Sequence, residues 1–238
     1  VLTAVTALVV LVADLWLPRR AAVVLTTIAV AGALTALVVV GVLWGDARRT
    51  FCIAGSPGAL ESCSYVVNQI TLVFQAVVLV GTIVVLLLAH RDEVSGPNPL
   101  PPGETGFLIL ASATGALVLA AGRDLATIVV ALEVVSLPAF ALVGLRRRDP
   151  RGAEAALTFF LVSVVSVAVM LYGVSLVYGA TGALHLDRIA TVLADPASRT
   201  SVATAGVVLT LVGLAFKVGA VPFHFWVPDT YAGAPVVV

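Results

Sequence analysis

The sequence FKVGAVPFHFWVPDTYAGAP, residues 216–235, decides how the chain is organised. An apolar run reaches Lys217 and then meets three prolines, at positions 222, 228 and 235. Proline lacks a backbone N–H, and its ring clashes with the preceding helical turn, so prolines at this spacing cannot share one unbroken helix. The stretch therefore predicts a discontinuous helix with a lysine at the break.

The composition places this break inside a membrane. The 238 residues are 61% hydrophobic and 11% charged, with a net charge of zero, whereas a soluble domain has about 25% charged residues. There is no basic stripe that could bind nucleic acid. These values exclude soluble, secreted and nucleic-acid-binding proteins. They predict an all-α, multi-pass protein embedded in the lipid bilayer.

Apolar segments of about twenty residues are long enough to cross a bilayer. The chain contains an incomplete first span, five full spans and a seventh that runs from Ser201 into the broken stretch; the first six cover residues 1–17, 21–45, 67–89, 104–121, 125–145 and 153–178. Residues 90–102 read as a linker, and residues 183–199 predict a short interfacial helix. Because the chain begins with Val1 and ends in an apolar run, we expect it to be part of a longer protein.

Both cysteines of the chain lie in the connection at residues 46–66, which the turn-forming residues 55–58 predict to be a loop. Arginines are slightly more frequent in the loops after spans one, three and five, which assigns those loops to the inside and this connection to the periplasm. Two cysteines in an oxidising compartment predict a disulfide between Cys52 and Cys63. The alternative is two unpaired small apolar residues.

Two ionisable residues lie in apolar surroundings. Glu133 is at the centre of the fifth span, and Lys217 is the single lysine of the chain. A charge at the centre of a membrane helix costs about 2.5–3.5 kcal/mol, so such residues face the protein interior and mark ion pathways. Pro138 opens the helix near the acid. We predict that Glu133 and Lys217 pair as a proton switch; the alternative is a protonated Glu133 bonded to a neighbouring helix.

The broken stretch holds further candidates. His224 is a possible proton relay because imidazole titrates near neutral pH; alternatively it only holds the broken segment in place. Asp229 is predicted to cap the next helix, and Trp226 and Tyr231 to anchor the chain at the membrane interface. The sequence has no glycine-rich phosphate loop, no CxxC pair and no paired histidines for haem, so we expect electron transfer to occur elsewhere.

The same stretch resembles the motif of the antiporter-like subunits of respiratory complex I. Its form PFHxWxPDxYxGAP, residues 222–235, is similar to the N-type members of that family. Two further stretches carry the resemblance: LEVVSLP at residues 132–138 and LYGVSLVYGATG at residues 171–182. Together they cover roughly residues 104–238.

The resemblance implies two inverted repeats of five helices, each with a discontinuous helix. Residues 1–103 would then hold the N-terminal helices 1–3, and residues 104–238 the first repeat up to the start of helix 8. Glu133 would face a neighbouring subunit, Lys217 would be the central pumping lysine, and His224 would join a hydrophilic axis. Many N-type subunits have a lysine where this chain has Thr158, so water or a hydroxyl would have to bridge Glu133 and Lys217.

The resemblance further implies a membrane-arm subunit of a proton-translocating NADH-quinone oxidoreductase in the bacterial plasma membrane. Its neighbours would be M-type and K-type subunits. The chain itself would bind no cofactor, since FMN, the iron–sulfur clusters and quinone would belong to other subunits. Two alternatives are a subunit of a multisubunit cation/proton antiporter and a passive scaffold whose charges only hold helices together.

Overall fold

The computed structural model describes residues 1–17, 22–53, 61–95, 100–146 and 149–235. The turn predicted at residues 55–58 and the arginines at positions 19, 20, 147 and 148 lie outside these ranges. Within them the chain is a helical bundle with one small hairpin. The elements are α1 (Leu2–Trp16), α2 (Ala22–Val42), β1 (Arg48–Ile53), β2 (Ser62–Val67), α3 (Gln69–Ser95), α4 (Pro102–Ala121), α5 (Leu125–Val143), α6 (Pro150–Thr181), α7 (Leu186–Ala194), a 3-10 turn (Pro196–Ser198), α8 (Ser201–Lys217) and α9 (Val227–Gly233).

Helices α2 to α6 are each long and apolar enough to cross a membrane. They coincide with the five full spans predicted from the sequence, so the multi-pass membrane architecture is confirmed. Helices α1 and α8 are apolar but shorter, with 15 and 17 residues. The linker predicted at residues 90–102 starts later than expected, because α3 continues to Ser95.

Three clusters of buried residues build the described part of the bundle, and the smallest joins α2, β2 and α3 around Leu79. Small and aliphatic residues of α1 to α4 form one core around Val10, Ala29 and Leu110, which are almost completely buried. A second core joins α5, α6 and α7 through Val129, Met170 and Ile189. Helix α4 also packs on α5, so the first helices adjoin the helix that carries Glu133. The division at residues 103 and 104 stays a prediction.

Glycines set the distance between α6 and α8. A Cβ added at Gly173 would lie 2.4 Å from the backbone nitrogen of Thr210, and one at Gly213 would lie 2.4 Å from Cβ of Met170. In a bilayer, helices associate through close van der Waals packing at small residues, because lipid supplies no hydrophobic drive between them. The two backbones therefore lie in direct contact, which sets the distance between the side chains they carry.

The connection at residues 46–66, predicted to be a loop, instead contains an antiparallel β-hairpin. Cys52 and Cys63 are paired across its two strands and joined by a disulfide. Strand β1 is exposed along its whole length, whereas β2 packs toward α3 and α4. The turn residues suggested a loop, but the alternating pattern of SCSYVV pairs with RRTFCI once the disulfide holds the two strands together.

The hairpin meets two other connections at one end of the bundle. Arg123 N–H donates to the carbonyl of Ser64 (2.9 Å), and Leu186 N–H donates to the carbonyl of Arg123 (3.0 Å). The Ser62 hydroxyl donates to Asp187 Oδ2 at 2.7 Å. The connections that follow α2, α4 and α6 thus share one end, as alternating spans require. Their periplasmic location stays a prediction.

Hydrogen bonds hold two carboxylates of this end in their charged form. Burial raises the pKa of Asp124, but hydrogen bonds from the side chain and backbone of Thr127 and from Ser64 outweigh it, so the pKa lies below its ordinary value. Burial likewise raises the pKa of Asp187, but the hydrogen bonds from the Ser62 hydroxyl and from the backbone of Arg188 and Asp187 together outweigh it, so the pKa is lowered. Both acids therefore stay ionised at neutral pH and act as fixed acceptors for the connections around them.

Breaking the disulfide is expected to release the exposed strand β1 from β2. The bond closes a sequence separation of 11 residues, which in the chain-entropy account contributes up to about 3 kcal/mol. In the double variant Cys52→Ser/Cys63→Ser, hydrogen exchange at the amides of β1 should therefore accelerate strongly, while the amides of α3 keep their protection. Unchanged protection of β1 would show that backbone pairing alone holds the hairpin.

Candidate functional site

Lys217 is the last residue of α8, directly before the chain breaks. Its side chain is 7% exposed, so its charge must be neutralised within the protein. The position is favourable for a cation, because the free carbonyls at the end of a helix carry a partial negative charge. The ammonium group of Lys217 therefore lies inside the bundle, at the end of α8.

Three acceptors surround this ammonium group. Lys217 Nζ donates to Glu133 Oε1 at 2.9 Å, to Ser136 Oγ at 2.9 Å and to Ser163 Oγ at 2.7 Å. A charged lysine has three N–H donors, so every donor has an acceptor. The first two acceptors come from α5 and the third from α6. The site is therefore assembled by three helices.

The two serines differ in what their own hydrogens do. The Ser136 hydroxyl donates to the carbonyl of Leu132 at 2.7 Å, one turn earlier in α5. Because this hydrogen is already donated to Leu132, Ser136 Oγ only accepts a hydrogen bond from Lys217. Within the described part of the chain, the recorded partner of Ser163 Oγ is Lys217. The hydrogen of Ser163 is therefore not donated to another group of the described chain, and the residue lines the neighbouring cavity.

Glu133 forms the ion pair predicted from the sequence. Its side chain is 29% exposed on the outer face of α5, while the bonded oxygen reaches inward to Lys217. Removing one partner of a buried pair leaves an uncompensated charge, which usually costs several kcal/mol. The charge on Glu133 therefore stabilises the charge on Lys217, and the charge on Lys217 stabilises that on Glu133.

The prolines occupy the places where a broken helix tolerates them. Pro222 lies in the break, Pro228 is in the first turn of α9, and Pro235 comes one residue after the C-cap of that helix, Ala234. The first helical turn needs no proline N–H, and proline often follows a helix end. Gly219 has a positive φ of 62°, a conformation in which other residues are strained. The predicted discontinuous helix is confirmed.

Trp226 differs from its predicted role at the membrane interface. Its indole N–H donates to the carbonyl of Phe216 at 3.2 Å, near the end of α8. Its ring stacks on Phe159 of α6, with ring centroids 4.6 Å apart and an angle of 7° between the planes. The prediction of an interface anchor is wrong because this aromatic ring finds both its hydrogen-bond acceptor and its stacking partner inside the protein.

The structure also corrects the role predicted for Asp229. Helix α9 begins at Val227, so Asp229 lies within its first turn rather than before it, and Trp226 takes the capping position without a side-chain bond. An acid in the first turn still interacts favourably with the helix dipole. Tyr231 is 79% exposed, which leaves its predicted interface role open.

His224 is not one of the hydrogen-bond partners of Lys217. It lies in the break and is exposed on the surface of the described chain. The structure therefore brings together Glu133 and Lys217 but leaves His224 outside their contact. Its assignment as a relay stays a prediction.

Two cavities lie along α6. One of about 150 Å³ adjoins Lys217 and is lined by Ser136, Ser163, Ser166, Phe159 and Trp226 together with aliphatic residues. The other, of about 340 Å³, is a polar cleft between the start of α6 and α9, lined by Arg151, Glu154, Ala155, Thr158, Asp229, Ala232 and Gly233. The first has room for several water molecules and polar groups to bind them.

Thr158 lines the polar cleft and not the space between Glu133 and Lys217. The bridge expected at this position is unnecessary, since the carboxylate and the ammonium group are in direct contact at 2.9 Å. Ser163 takes the place on α6 that the sequence assigned to Thr158. A serine in an apolar run carries little signal of its own, and only the packing of α6 on α8 reveals that it reaches the lysine.

A membrane-embedded helix that breaks beside a lysine–glutamate pair is the arrangement that the resemblance to antiporter-like transmembrane subunits predicted. The family described as "NADH:quinone oxidoreductase/Mrp antiporter, TM" matches residues 122–238. Over 99% of its length the chain is 55% identical to NADH-quinone oxidoreductase subunit N 2 of Streptomyces griseus subsp. griseus, and it spans 43% of that protein.

Solved structures agree with this sequence match. A chain of respiratory complex I from Thermus thermophilus with bound aureothin aligns with a TM-score of 0.75 and 31% identity, covering 99% of this chain and 47% of the other. A chain of the Mrp complex from Dietzia sp. shares the fold with a TM-score of 0.71 at 21% identity, covering 99% of this chain and 44% of the other. Residues 122–238 thus match the transmembrane domain of the antiporter-like subunit family. Within that family the chain resembles the N subunits of NADH-quinone oxidoreductase, as the motif predicted.

Proposed function

We propose that this chain is the part of an N-type membrane-arm subunit of NADH-quinone oxidoreductase that moves protons through Lys217. The observation that carries the proposal is the ammonium group of Lys217, held by Glu133 and two serines at the end of a broken helix. Irregular backbone at membrane depth is tolerated where it lines a cavity or is buried in protein. The break and the cavity supply a place where a proton can be handed over.

The ion pair explains how the site would work. While Glu133 is ionised, it stabilises the charged form of Lys217, and the serines complete the hydrogen bonds. When Glu133 is neutralised or drawn away, the lysine keeps only neutral acceptors, so its proton is released more easily. A charge arriving near the exposed side of Glu133 would therefore control the proton on Lys217. In this proposal quinone reduction elsewhere in the complex supplies that charge movement.

The partners follow from the same proposal. The subunit would sit between M-type and K-type neighbours in the bacterial plasma membrane, and the exposed part of Glu133 would face one of them. FMN, the iron–sulfur clusters and quinone would be bound by other subunits. Sequence similarity supports this assignment over the cation/proton antiporter, since the chain is 55% identical to an N subunit of NADH-quinone oxidoreductase.

Replacing Lys217 with alanine is expected to reduce proton translocation per NADH oxidised by at least about tenfold, because the group that carries the proton is gone. The measurement is acidification of proteoliposomes containing the intact complex, driven by NADH and a quinone. Arg199→Ala is a suitable control, because it removes an exposed cation bonded only to backbone carbonyls of α7 and its end.

The outcomes separate the candidates. Translocation equal to that of the unmodified complex in Lys217→Ala, with assembly preserved, would support the passive scaffold and overturn the proposal. Sodium/proton exchange that proceeds in vesicles without NADH would instead support the cation antiporter.

A further inference from the structure

The polar cleft and the lysine cavity share one face of α6. Ala155 and Thr158 line the cleft, whereas Phe159, Val162 and Ser163 line the cavity. Helical residues three or four positions apart lie on the same side, so these side chains form one continuous stripe. Both spaces are bordered on the opposite side by the segment that begins at Trp226 and continues through α9. The polar cleft and the lysine cavity therefore both lie between α6 and the segment that begins at Trp226.

An aromatic pair lies, along both elements, beside the residues that line the cleft. Phe159 and Trp226 stack face to face at 4.6 Å and form part of the wall of the lysine cavity. Phe140 of α5 meets Phe159 edge-on, with ring centroids 4.6 Å apart, so the ring is held from a second direction. A closed stack of apolar rings excludes water, and water on either side of it cannot form a continuous chain.

Ser163 is placed to carry a proton into the site. Its oxygen lies 2.7 Å from Lys217 Nζ, and it lines the cavity. Ser136 Oγ is at a similar distance from Lys217 Nζ, but its hydroxyl donates a hydrogen bond to the carbonyl of Leu132. Ser163 donates no hydrogen bond to another group in the described part of the chain, so it can accept a hydrogen from a water in the cavity while giving its own to the lysine.

We propose that Lys217 exchanges its proton with the polar cleft along this face of α6, through Ser163, and that the Phe159–Trp226 stack closes the route. This inference rests on the proposed function of Lys217. In the inward step a hydronium ion in the cavity gives a proton to Ser163 Oγ, and the hydroxyl hydrogen of Ser163 passes to the lone pair of neutral Lys217. Two O–H bonds break, one in the hydronium ion and one in the serine, while one O–H bond and one N–H bond form, leaving water, the serine hydroxyl and an ammonium group. Release follows the reverse order.

The serines allow a matched test. Ser163→Ala and Ser136→Ala each remove one acceptor from Lys217, but only the first removes a hydroxyl that can relay a proton. In the intact complex we expect Ser163→Ala to lower NADH-driven proton translocation by about tenfold or more. Ser136→Ala should lower it by no more than about threefold. Ser163→Thr, which keeps the hydroxyl, should restore it to within about twofold of the unmodified complex.

A structural role for Ser163 would give a different pattern. Equal losses in Ser163→Ala and Ser136→Ala, in complexes where Lys217→Ala is inactive, would overturn the route and leave the proposed function standing. Full activity of Lys217→Ala would overturn the proposed function itself. The two failures are therefore distinguishable in one set of measurements.

Thiol labelling tests the aromatic closure directly. Both cysteines of residues 1–238 are in the disulfide, so a cysteine placed at Val162 adds a free thiol to this segment and leaves Ser163 intact. Labelling of the complex without the Val162→Cys change is subtracted as the background. In vesicles containing the whole complex, a membrane-impermeant methanethiosulfonate reagent should label Val162→Cys at least about tenfold faster when Phe159 is replaced by alanine, because access limits the reaction. Phe160→Ala is the control, since Phe160 also contacts Phe140 but lines neither space. Equal labelling rates in the two backgrounds would overturn the closure.

Discussion

Removing either partner of the ion pair is expected to destabilise the subunit more than removing both. Glu133→Gln leaves Lys217 buried with only neutral acceptors, and Lys217→Met leaves Glu133 without its cation. Each single change should cost about 3 kcal/mol, at the lower end of the range for buried pairs because Glu133 is 29% exposed. The double variant Glu133→Gln/Lys217→Met has no uncompensated charge and should recover most of that loss.

The double variant should nevertheless fail to translocate protons, because the proton-carrying group is absent. Thermal unfolding of the purified complex and NADH-driven acidification of proteoliposomes measure the two quantities separately. The coupling between the two changes follows from the double-mutant cycle. This separates stability from transport, which single substitutions cannot do, since each of them alters both.

Additive losses of stability would contradict a direct pair in the assembled complex. They would mean that the exposed side of Glu133 has found another cation and that Lys217 is held by the serines alone. Proton translocation by the double variant would instead contradict the role of Lys217 and support the passive scaffold. The serine variants described above serve as internal controls, since they perturb the same ammonium group without changing any charge.

Adding a single methyl group at Gly173 is expected to disturb the site from a distance. The new Cβ of Gly173→Ala would lie 2.4 Å from the backbone nitrogen of Thr210 and 2.8 Å from the carbonyl oxygen of Gly206. Backbone atoms cannot move aside as a flexible side chain can, so α6 and α8 must separate. Overpacking of this kind costs about 1–3 kcal/mol, and part of it is offset by the roughly 1 kcal/mol gain in helix propensity.

Gly179→Ala is the matched control in the same helix. A Cβ at Gly179 would have no atom within 4 Å, so only the gain in helix propensity remains and the variant should be as stable as the original or slightly more so. Thermal unfolding of the complex measures both. If Gly173→Ala were as stable as Gly179→Ala, the close contact of α6 with α8 would not be present in the assembled protein.

The same variant should weaken proton translocation. Ser163 and Lys217 belong to α6 and α8, and the Ser166 hydroxyl joins the two helices by donating to the carbonyl of Gly213 at 2.9 Å. A wider interface would lengthen the 2.7 Å contact between Lys217 and Ser163. Packing at Gly173 and chemistry at Lys217 are therefore linked through the distance between two backbones.

Most of the architecture could be predicted from the sequence because membrane insertion depends on local properties. Hydropathy located the five full spans, and the covalent geometry of proline located the break after Lys217. The ion pair could be predicted because the chain offers one lysine and one mid-span acid, and two isolated charges in an apolar medium stabilise each other. Each of these predictions needed only residue type, order and the solvent.

Predictions that depended on neighbours distant in sequence were less successful. The hairpin was missed because its outer strand is held through pairing with β2 and through the disulfide, not through a buried face of its own. Trp226 was assigned to the interface because an indole in a membrane protein usually lies there, whereas Phe159 and the carbonyl of Phe216 hold it inside. The capping role predicted for Asp229 was wrong because the capping position is Trp226, three residues earlier.

The sequence by itself determined that residues 216–235 break a membrane helix beside a lysine, and that Glu133 is the acid available to pair with it. Only the tertiary structure decided how the lysine is held. Ser163 is one serine among several in an apolar helix, and it became a ligand of Lys217 because the glycines between α6 and α8 let two backbones touch. Ion pairing follows from charge, which the sequence displays, whereas hydrogen bonding requires atoms within about 3 Å, a condition that packing alone can satisfy.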